Sequence, residues 1–233
     1  MHWITTETSI RLAGVACFLL AAYSIWLGQM TVAGLPGGYR NPVLALELVK
    51  DGNDIETIKS AEGGKAIPFV TKQVHKDFGY IVLYVVVFSW LALLLSFGHT
   101  PSRSWLGWLT VLGVIVAGGL DVLENRGMLA ALNSNTVTDS MANSIRYPSL
   151  GKWALLFVFS LVMGFLLLQT RGALRLTAVL FLVAGLSGLA GVITNLVRPW
   201  FYMMFPIAII CLGLGLVCVA IFFTMWPNKV LSD

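Results

Sequence analysis

The chain is short of charged residues. Only 11% of its 233 residues are charged, whereas 58% are hydrophobic, and the mean hydropathy is +0.84. So little polar surface cannot cover a water-soluble globule of this length, which indicates an integral membrane protein. The formal net charge of +4 is scattered through loops without a basic run or stripe, so we expect no nucleic-acid partner.

Cysteine and histidine are equally scarce. The three cysteines, Cys17, Cys211 and Cys218, lie in apolar segments without a C-x-x-C pair or a nearby histidine. This pattern predicts small packing residues, not a disulfide framework or a zinc site. The chain has only three histidines, fewer than the diiron, zinc and bis-histidine haem sites of membrane enzymes use. We therefore predict no metal site, and the sequence identifies no cofactor.

Long apolar runs dominate what is present. Six of them are long enough, or nearly so, to cross a hydrocarbon core of about 30 Å as a helix. The sequence therefore predicts an all-α polytopic membrane protein, with residues 1–233 forming one six-helix transmembrane domain. The predicted spans are residues 11–33, 78–97, 105–125, 153–169, 174–197 and 202–226.

The first long loop, residues 34–78, contains the features of short helices. Asn41-Pro42 supplies a helix cap and a first-turn proline for a helix over 43–50, and a second short helix is predicted over 54–59. Because the first of these segments is rich in Val and Leu, a disordered linker is not favoured. We expect this loop to form a cap over the non-cytoplasmic mouth of the bundle.

The orientation follows from the basic residues near the span ends. The two short linkers, 99–104 and 170–175, carry arginines and no acid. The positive-inside rule then predicts that the N- and C-termini are cytoplasmic in a cell membrane. The long loops on the other side hold more lysines and arginines in total, so a plain count favours the opposite orientation. We base the prediction on the short linkers.

The only acids inside an apolar segment are Asp121 and Glu124, at the end of the third span. The amide residue Asn125 follows them. A charged group in a bilayer is costly, by about 2.5–3.5 kcal/mol at a helix centre, so it needs a partner or a purpose. Asp121 lies about 24 Å along the helix from the start of its span, and therefore near the non-cytoplasmic interface.

Small residues lead into polar ones on one face of the first, third and fifth spans. Such stripes let helices approach closely in lipid. These three spans run in the same direction, so their meeting would bring Asp121, Glu124 and Asn125 to the level of Asn195 and Arg198. We expect these residues to form an ion pair or a hydrogen-bonded network beneath the loop.

The start of the second span reaches the same end of the bundle with Asp77 and Tyr80. The predicted ligand-binding residues are Asp77, Tyr80, Asp121, Glu124, Asn125, Asn195 and Arg198. If the site is catalytic, Asp121 or Glu124 is the candidate general base. A purely structural role, in which the same groups tie helices together, is the competing interpretation.

Two short motifs carry a resemblance. Asp77 in Lys-Asp-Phe-Gly-Tyr80 opens the second span, and Asp-Val-Leu-Glu-Asn125 closes the third. With the helix in the first loop, this pattern resembles a group of six-helix bacterial membrane proteins that carry D-x-x-E-N and have no assigned activity, over about residues 11–135. The resemblance implies that Asp77, Asp121, Glu124 and Asn125 act together, and it implies no chemistry.

Several functions fit these observations. The first hypothesis is a non-catalytic membrane protein that contacts membrane lipids and either binds a hydrophobic or amphiphilic small molecule or serves as an accessory subunit of a larger membrane complex. The alternative is a membrane-embedded enzyme acting on a lipid-like substrate, with Arg198 holding an anionic head group. Small-molecule transport is a further alternative, although no charge lies at mid-depth and no interior proline breaks a span away from its end.

Overall fold

A computed structural model describes residues 6–27, 31–99, 104–170, 174–197 and 204–227. Throughout these ranges the chain is helical apart from short connections, and they contain no β-strand. The eight α-helices are α1 (Glu7–Leu27), α2 (Pro42–Glu47), α3 (Gly52–Ser60), α4 (Ala66–His99), α5 (Ser104–Asn133), α6 (Asp139–Leu167), α7 (Leu174–Val197) and α8 (Met204–Met225). The predicted all-α class is confirmed.

Six of these helices, α1 and α4 to α8, are long and apolar enough to cross a membrane. The predicted number of spans and the helical, multi-pass membrane class are therefore confirmed. The short helices α2 and α3 lie in the first long loop, as predicted. Asn41 caps α2 by accepting hydrogen bonds from two backbone amides of its first turn, and Asp51 caps α3 by accepting one from the Asp54 amide.

Three helices are longer than their apolar runs. α4 begins at Ala66 and not near Phe78, α5 continues to Asn133, and α6 begins at Asp139. The predictions that residues 66–77 are loop and that 126–152 is a polar linker are therefore wrong. Hydropathy reports where a helix leaves the apolar layer, and these helices continue beyond that point because they pack against one another.

The extended ends form a second hydrophobic core with the first loop. Val70 of α4, Met128 of α5 and Ile145 of α6 contact Ile55 and Ile58 of α3, and all five are buried. We refer to the extended ends of α4, α5 and α6 with the first loop as the platform. Two hydrogen bonds hold α3 in it: the Gly52 amide donates to Asp139 at 2.9 Å, and Lys59 donates to the Ser134 carbonyl at 2.6 Å. We refer to α2 and α3, residues 42–60, as the cap.

The spanning helices form a closed ring in chain order. α1 packs on α4, α4 on α5, α5 on α6, α6 on α7, α7 on α8, and α8 returns to α1. The prediction that the first, third and fifth spans meet in the interior is wrong, because α1, α5 and α7 are separated by the intervening helices among the described residues. Sequence periodicity identifies a packing face, and it does not identify the helix that covers it.

The small-residue faces instead serve neighbouring helices in the ring. A Cβ added at Gly14 of α1 would lie 2.9 Å from Phe223 of α8. One added at Gly118 would lie 2.7 Å from Val85 of α4, and one at Gly188 would overlap the Phe157 ring of α6. Gly14 and Gly188 therefore allow a close backbone approach on the predicted faces, whereas on the third span the close contact is at Gly118 and the predicted Gly113 has open surroundings.

Candidate functional site

A buried lysine lies at the centre of the polar cluster. Lys152 of α6 is 4% exposed. Its Nζ lies 2.7 Å from Glu124 Oε2, 2.9 Å from Asp121 Oδ1 and 3.5 Å from Glu47 Oε1. An ammonium buried at this depth is stable only when opposite charges and hydrogen bonds replace its hydration. The three carboxylates supply the charges, and Asp121 also accepts a hydrogen bond from the ammonium.

Three helices bring these charges together. Asp121 and Glu124 are three residues apart on α5, so both project from one face of that helix towards α6. Lys152 lies on the facing side of α6, directly before the apolar run that starts at Trp153. Glu47 is the last residue of α2, and the cap on which it lies thereby closes the cluster from above.

Polar neighbours hold the carboxylates in place. Asp121 is fully engaged, because Lys152 donates to Oδ1 and the Tyr84 hydroxyl donates to Oδ2 at 3.1 Å. The indole N–H of Trp153 donates to Glu47 Oε2 at 2.8 Å. Burial raises the pKa of Glu47 above its ordinary value, while the positive charge of Lys152 and this hydrogen bond oppose the rise.

Asp77 forms the outer part of the cluster. Asn125 Nδ2 donates to Asp77 Oδ2 at 2.8 Å, and this bond ties the start of the apolar part of α4 to α5. Of the four residues that the resemblance places together, Asp77 and Asn125 are hydrogen-bonded to each other, and Asp121 and Glu124 both contact Lys152.

A cavity of about 290 Å³ adjoins this network inside the ring of helices. Asp77, Asp121, Lys152 and Glu47 line its polar end beneath the cap. Its remaining walls are apolar or aromatic and come from α1, α4, α6 and α8; they include Leu27, Tyr80, Tyr84, Phe88, Trp153, Leu156, Ile209, Leu212, Gly213 and Leu216.

The exposed residues of the cavity lining lie on α1 and α8. The two helices are in contact at the end of the ring far from the cap, where Gly14 meets Phe223 and Arg11 donates to the Thr224 carbonyl at 2.9 Å. Towards the cap, the lining residues Ser24 of α1 and Ile209 of α8 are exposed. A group leaving the cavity here would meet the surface that faces the membrane.

The predicted site residues divide into three groups. Asp77, Asp121, Glu124 and Asn125 lie in the cluster, although Glu124 is behind Lys152 and does not line the cavity. Tyr80 lines the cavity and hydrogen-bonds to the Ser24 hydroxyl at 2.8 Å. Asn195 and Arg198 form the third group and are considered separately.

Asn195 lies on α7, where its backbone carbonyl accepts a hydrogen bond from Arg146 of α6 at 2.8 Å. It does not line the cavity, and the cation beside the acids is Lys152. Arg198, the predicted partner of the acids, lies outside the described residues.

Sequence reasoning missed Lys152 and Glu47. The predicted spans leave Lys152 outside the membrane segment that begins at residue 153, and the sequence places Glu47 in a short helix of the first loop. One signal pointed to Lys152: it directly precedes Trp153 at the membrane side on which Asp121 lies, and a lysine there is a possible counterion. No comparable signal marked Glu47.

Within the described part of the chain, no group of three or more His, Cys, Asp or Glu side chains is arranged to hold a metal ion. Lys152 itself occupies the space between Asp121, Glu124 and Glu47. The arrangement is suited to holding charge and to accepting hydrogen bonds from a molecule in the cavity.

The fold and this site define an integral, multi-pass membrane protein with six helices long and apolar enough to span a membrane and a cavity with a charged end beneath the cap. No protein-family model matches the chain, and comparisons with curated proteins and with solved structures find no significant match.

Proposed function

We propose that the protein binds an amphiphilic small molecule that enters the cavity sideways from the membrane between α1 and α8. The observation that carries the proposal is the gradient along the cavity, from carboxylates and an ammonium under the cap to apolar walls deeper in the ring. A binding pocket of this kind, apolar with a few convergent polar groups, is typical of small-molecule sites.

The depth of the polar end supports this orientation of the ligand. Asp77 and Lys152 each directly precede the apolar part of their helix, at Phe78 and Trp153 respectively. The polar end therefore lies near the membrane interface, where head groups reside, and Phe88 lies about 16 Å deeper along α4. A head group beneath the cap and an apolar chain pointing inwards match both ends.

The volume sets the size of the ligand. A cavity of about 290 Å³ is at the lower limit of the range of about 300–1,000 Å³ that small-molecule pockets occupy. It has room for one small head group with part of one chain, and a two-chain phospholipid would not fit.

Photo-crosslinking in lipid nanodiscs tests the proposal. The probes are single C14 chains with a terminal diazirine and one of three head groups: a primary amine, a glycerol ether or a carboxylate. We expect at least one probe to label residues that line the cavity on α4, α6 or α8. Peptide mass spectrometry locates the label.

A paired set of glycine variants makes the test specific. Gly213 lines the cavity, and a Cβ atom added there would meet nothing within 4 Å, so we expect the Gly213→Trp side chain to extend into the cavity while the fold is kept. Gly119→Trp is the matched control, because Gly119 has equally open surroundings on the outer face of α5. Cavity labelling should fall about tenfold only in Gly213→Trp, which corresponds to about 1.4 kcal/mol. Equal labelling in both variants would overturn the proposal.

An enzyme acting on a lipid-like substrate is the second candidate, because Asp121 and Lys152 reach the cavity wall. Each oxygen of Asp121 already accepts one hydrogen bond, and Glu124 lies behind Lys152 and does not line the cavity. This geometry supports binding better than general-base catalysis. Recovery of an ester-linked C14 probe in cleaved form, lost in Asp121→Asn, would favour the enzyme.

The roles of accessory subunit in a larger membrane complex and of transporter stay predictions. Co-purification of a larger assembly from membranes under mild solubilisation would support the first. Protein-dependent uptake of a solute into sealed vesicles would support the second.

A further inference from the structure

We propose that the head group recognised beneath the cap is a protonated amine. This inference rests on the proposed binding of an amphiphile in the same cavity. Its basis is the juxtaposition of excess carboxylates with a buried, unpartnered amide oxygen, that of Gln73, at the polar end of the cavity.

The charges at the cavity are unbalanced. Lys152 supplies a single ammonium beside three carboxylates, those of Glu47, Asp121 and Glu124, and a fourth carboxylate, that of Asp77, accepts within the described ranges only from the Asn125 side-chain amide. No other Lys or Arg lines the cavity among the described residues. A cation would lower the electrostatic free energy of this site, whereas an anion would face three lining carboxylates.

The polar end of the cavity also has fewer hydrogen-bond donors than acceptors. Lys152 donates to Asp121 and lies between the acids, Trp153 donates to Glu47, and Tyr84 donates to Asp121. The acceptors are in excess, since an ionised carboxylate has several acceptor positions and no donor. A ligand that fits this site must bring N–H or O–H groups with it.

Gln73 provides separate evidence that a ligand brings a hydrogen-bond donor to this site. Its side chain lies on α4, one turn before Asp77, and lines the polar end of the cavity. Gln73 is only 7% exposed, and its Oε1 atom accepts no hydrogen bond within the structure. A buried acceptor without a donor costs about 1–3 kcal/mol, which a donor on the ligand would recover.

The aromatic walls are compatible with a cation. Tyr80 and Tyr84 stack edge to face with 5.7 Å between ring centroids, and Phe88 continues the same face of α4. Trp153 lies across the cavity on α6. Aromatic faces attract ammonium groups, and such contacts strengthen when water is excluded.

The nanodisc experiment with the three C14 probes also tests the head group. We expect the amine probe to label the cavity about tenfold more strongly than the carboxylate probe, since hydrogen bonds to charged groups contribute about 1.5–3 kcal/mol. A trimethylammonium version of the same chain keeps the charge and loses the N–H groups. It should label severalfold less than the amine.

Two variants assign the preference to residues. Asp77→Asn should lower labelling by the amine probe about tenfold and leave labelling by the glycerol probe unchanged. Gln73→Leu should lower amine labelling severalfold. We expect this variant to fold, because the substitution removes a buried unpaired oxygen. Glu62→Gln, which changes an exposed acid of the first loop, is the matched control.

The two proposals fail in different ways. If glycerol or carboxylate probes label the cavity as strongly as the amine, the amine preference is overturned while binding of an amphiphile stands. If amine labelling is strong but unchanged in both Asp77→Asn and Gln73→Leu, the assignment of the head group to this end is overturned. If Gly213→Trp does not lower cavity labelling by any probe, both proposals are overturned.

Discussion

At the scale of single residues, Lys152 decides whether the polar cluster stabilises or disrupts the bundle. Its ammonium is the only cation within 4 Å of Asp121, Glu124 and Glu47 among the described residues. Because the carboxylates are buried, each would be strongly destabilising without it. The cluster is therefore a single electrostatic unit and not a set of independent pairs.

Replacing this cation should be severe. Lys152→Met keeps a side chain of similar length but leaves buried carboxylates unpaired, so we expect a loss of about 3–5 kcal/mol in the free energy of unfolding. Denaturant titration of the detergent-solubilised protein measures this loss. Lys65→Met, at an exposed lysine of the first loop, is the matched control and should change stability little.

A rescue separates electrostatics from packing. Adding Asp121→Asn and Glu124→Gln to Lys152→Met removes the two carboxylates closest to the missing cation, and should restore part of the lost stability. If the triple variant is no more stable than Lys152→Met, the loss arises from packing around the lysine stem, and the electrostatic account is wrong.

At the scale of helices, contacts between neighbours in the ring depend on positions without side chains. Gly188 of α7 lies against the Phe157 ring of α6, and Phe157 is completely buried. A methyl group at Gly188 must therefore displace a large aromatic ring that contacts Trp153 and Phe205. The α6–α7 contact and the cavity wall at Trp153 are mechanically linked through this ring.

Gly188→Ala should accordingly destabilise the protein, by about 1–3 kcal/mol, the usual cost of overpacking. The matched change Gly119→Ala should be neutral or slightly stabilising, because Gly119 has open surroundings and alanine favours a helix over glycine. Thermal unfolding in one detergent compares the two. Equal unfolding temperatures would contradict the close contact seen at Gly188.

The helices also show what the sequence could predict. Hydropathy located six spans because an apolar run of about 20 residues has few alternatives in a membrane protein. It placed the start of α4 near Phe78, since the residues from Ala66 onwards are polar enough to resemble a loop. Val70 and Val74 are nevertheless buried against other helices, and that packing is not visible in a single segment.

The site was predictable in part for the same reason. Asp121, Glu124 and Asn125 stand out because acids are rare in apolar segments, and helical spacing places them on one face. The counterion could not be assigned because it depends on which helices are neighbours. α6 lies beside α5 in the ring, so the charge comes from Lys152.

At the scale of the whole molecule, the cap and the extended ends of α4, α5 and α6 make the two membrane faces unequal. One face carries a folded platform with its own hydrophobic core, and the other carries the start of α1 beside the end of α8. The predicted orientation puts the platform outside the cytoplasm and the termini inside.

Cysteine labelling in intact cells tests this orientation. With both termini cytoplasmic, Asn135→Cys, in the exposed connection between α5 and α6, should react with a membrane-impermeant maleimide. Leu168→Cys, at the opposite end of α6, should react only after the cells are permeabilised. The native cysteines lie within spanning helices and serve as the background control. The reverse pattern would contradict the predicted orientation.

The pairing of Asp121 and Lys152 also has a consequence for biogenesis. These charges lie on consecutive helices that form an antiparallel hairpin, joined by residues 134–138. Inserted alone, α5 would expose its acids to lipid and α6 would expose its lysine, each at a substantial cost. Inserted as a hairpin, the two arms neutralise each other at once. The translocation machinery would therefore best release α5 and α6 into the bilayer as one unit, after α6 has been synthesised.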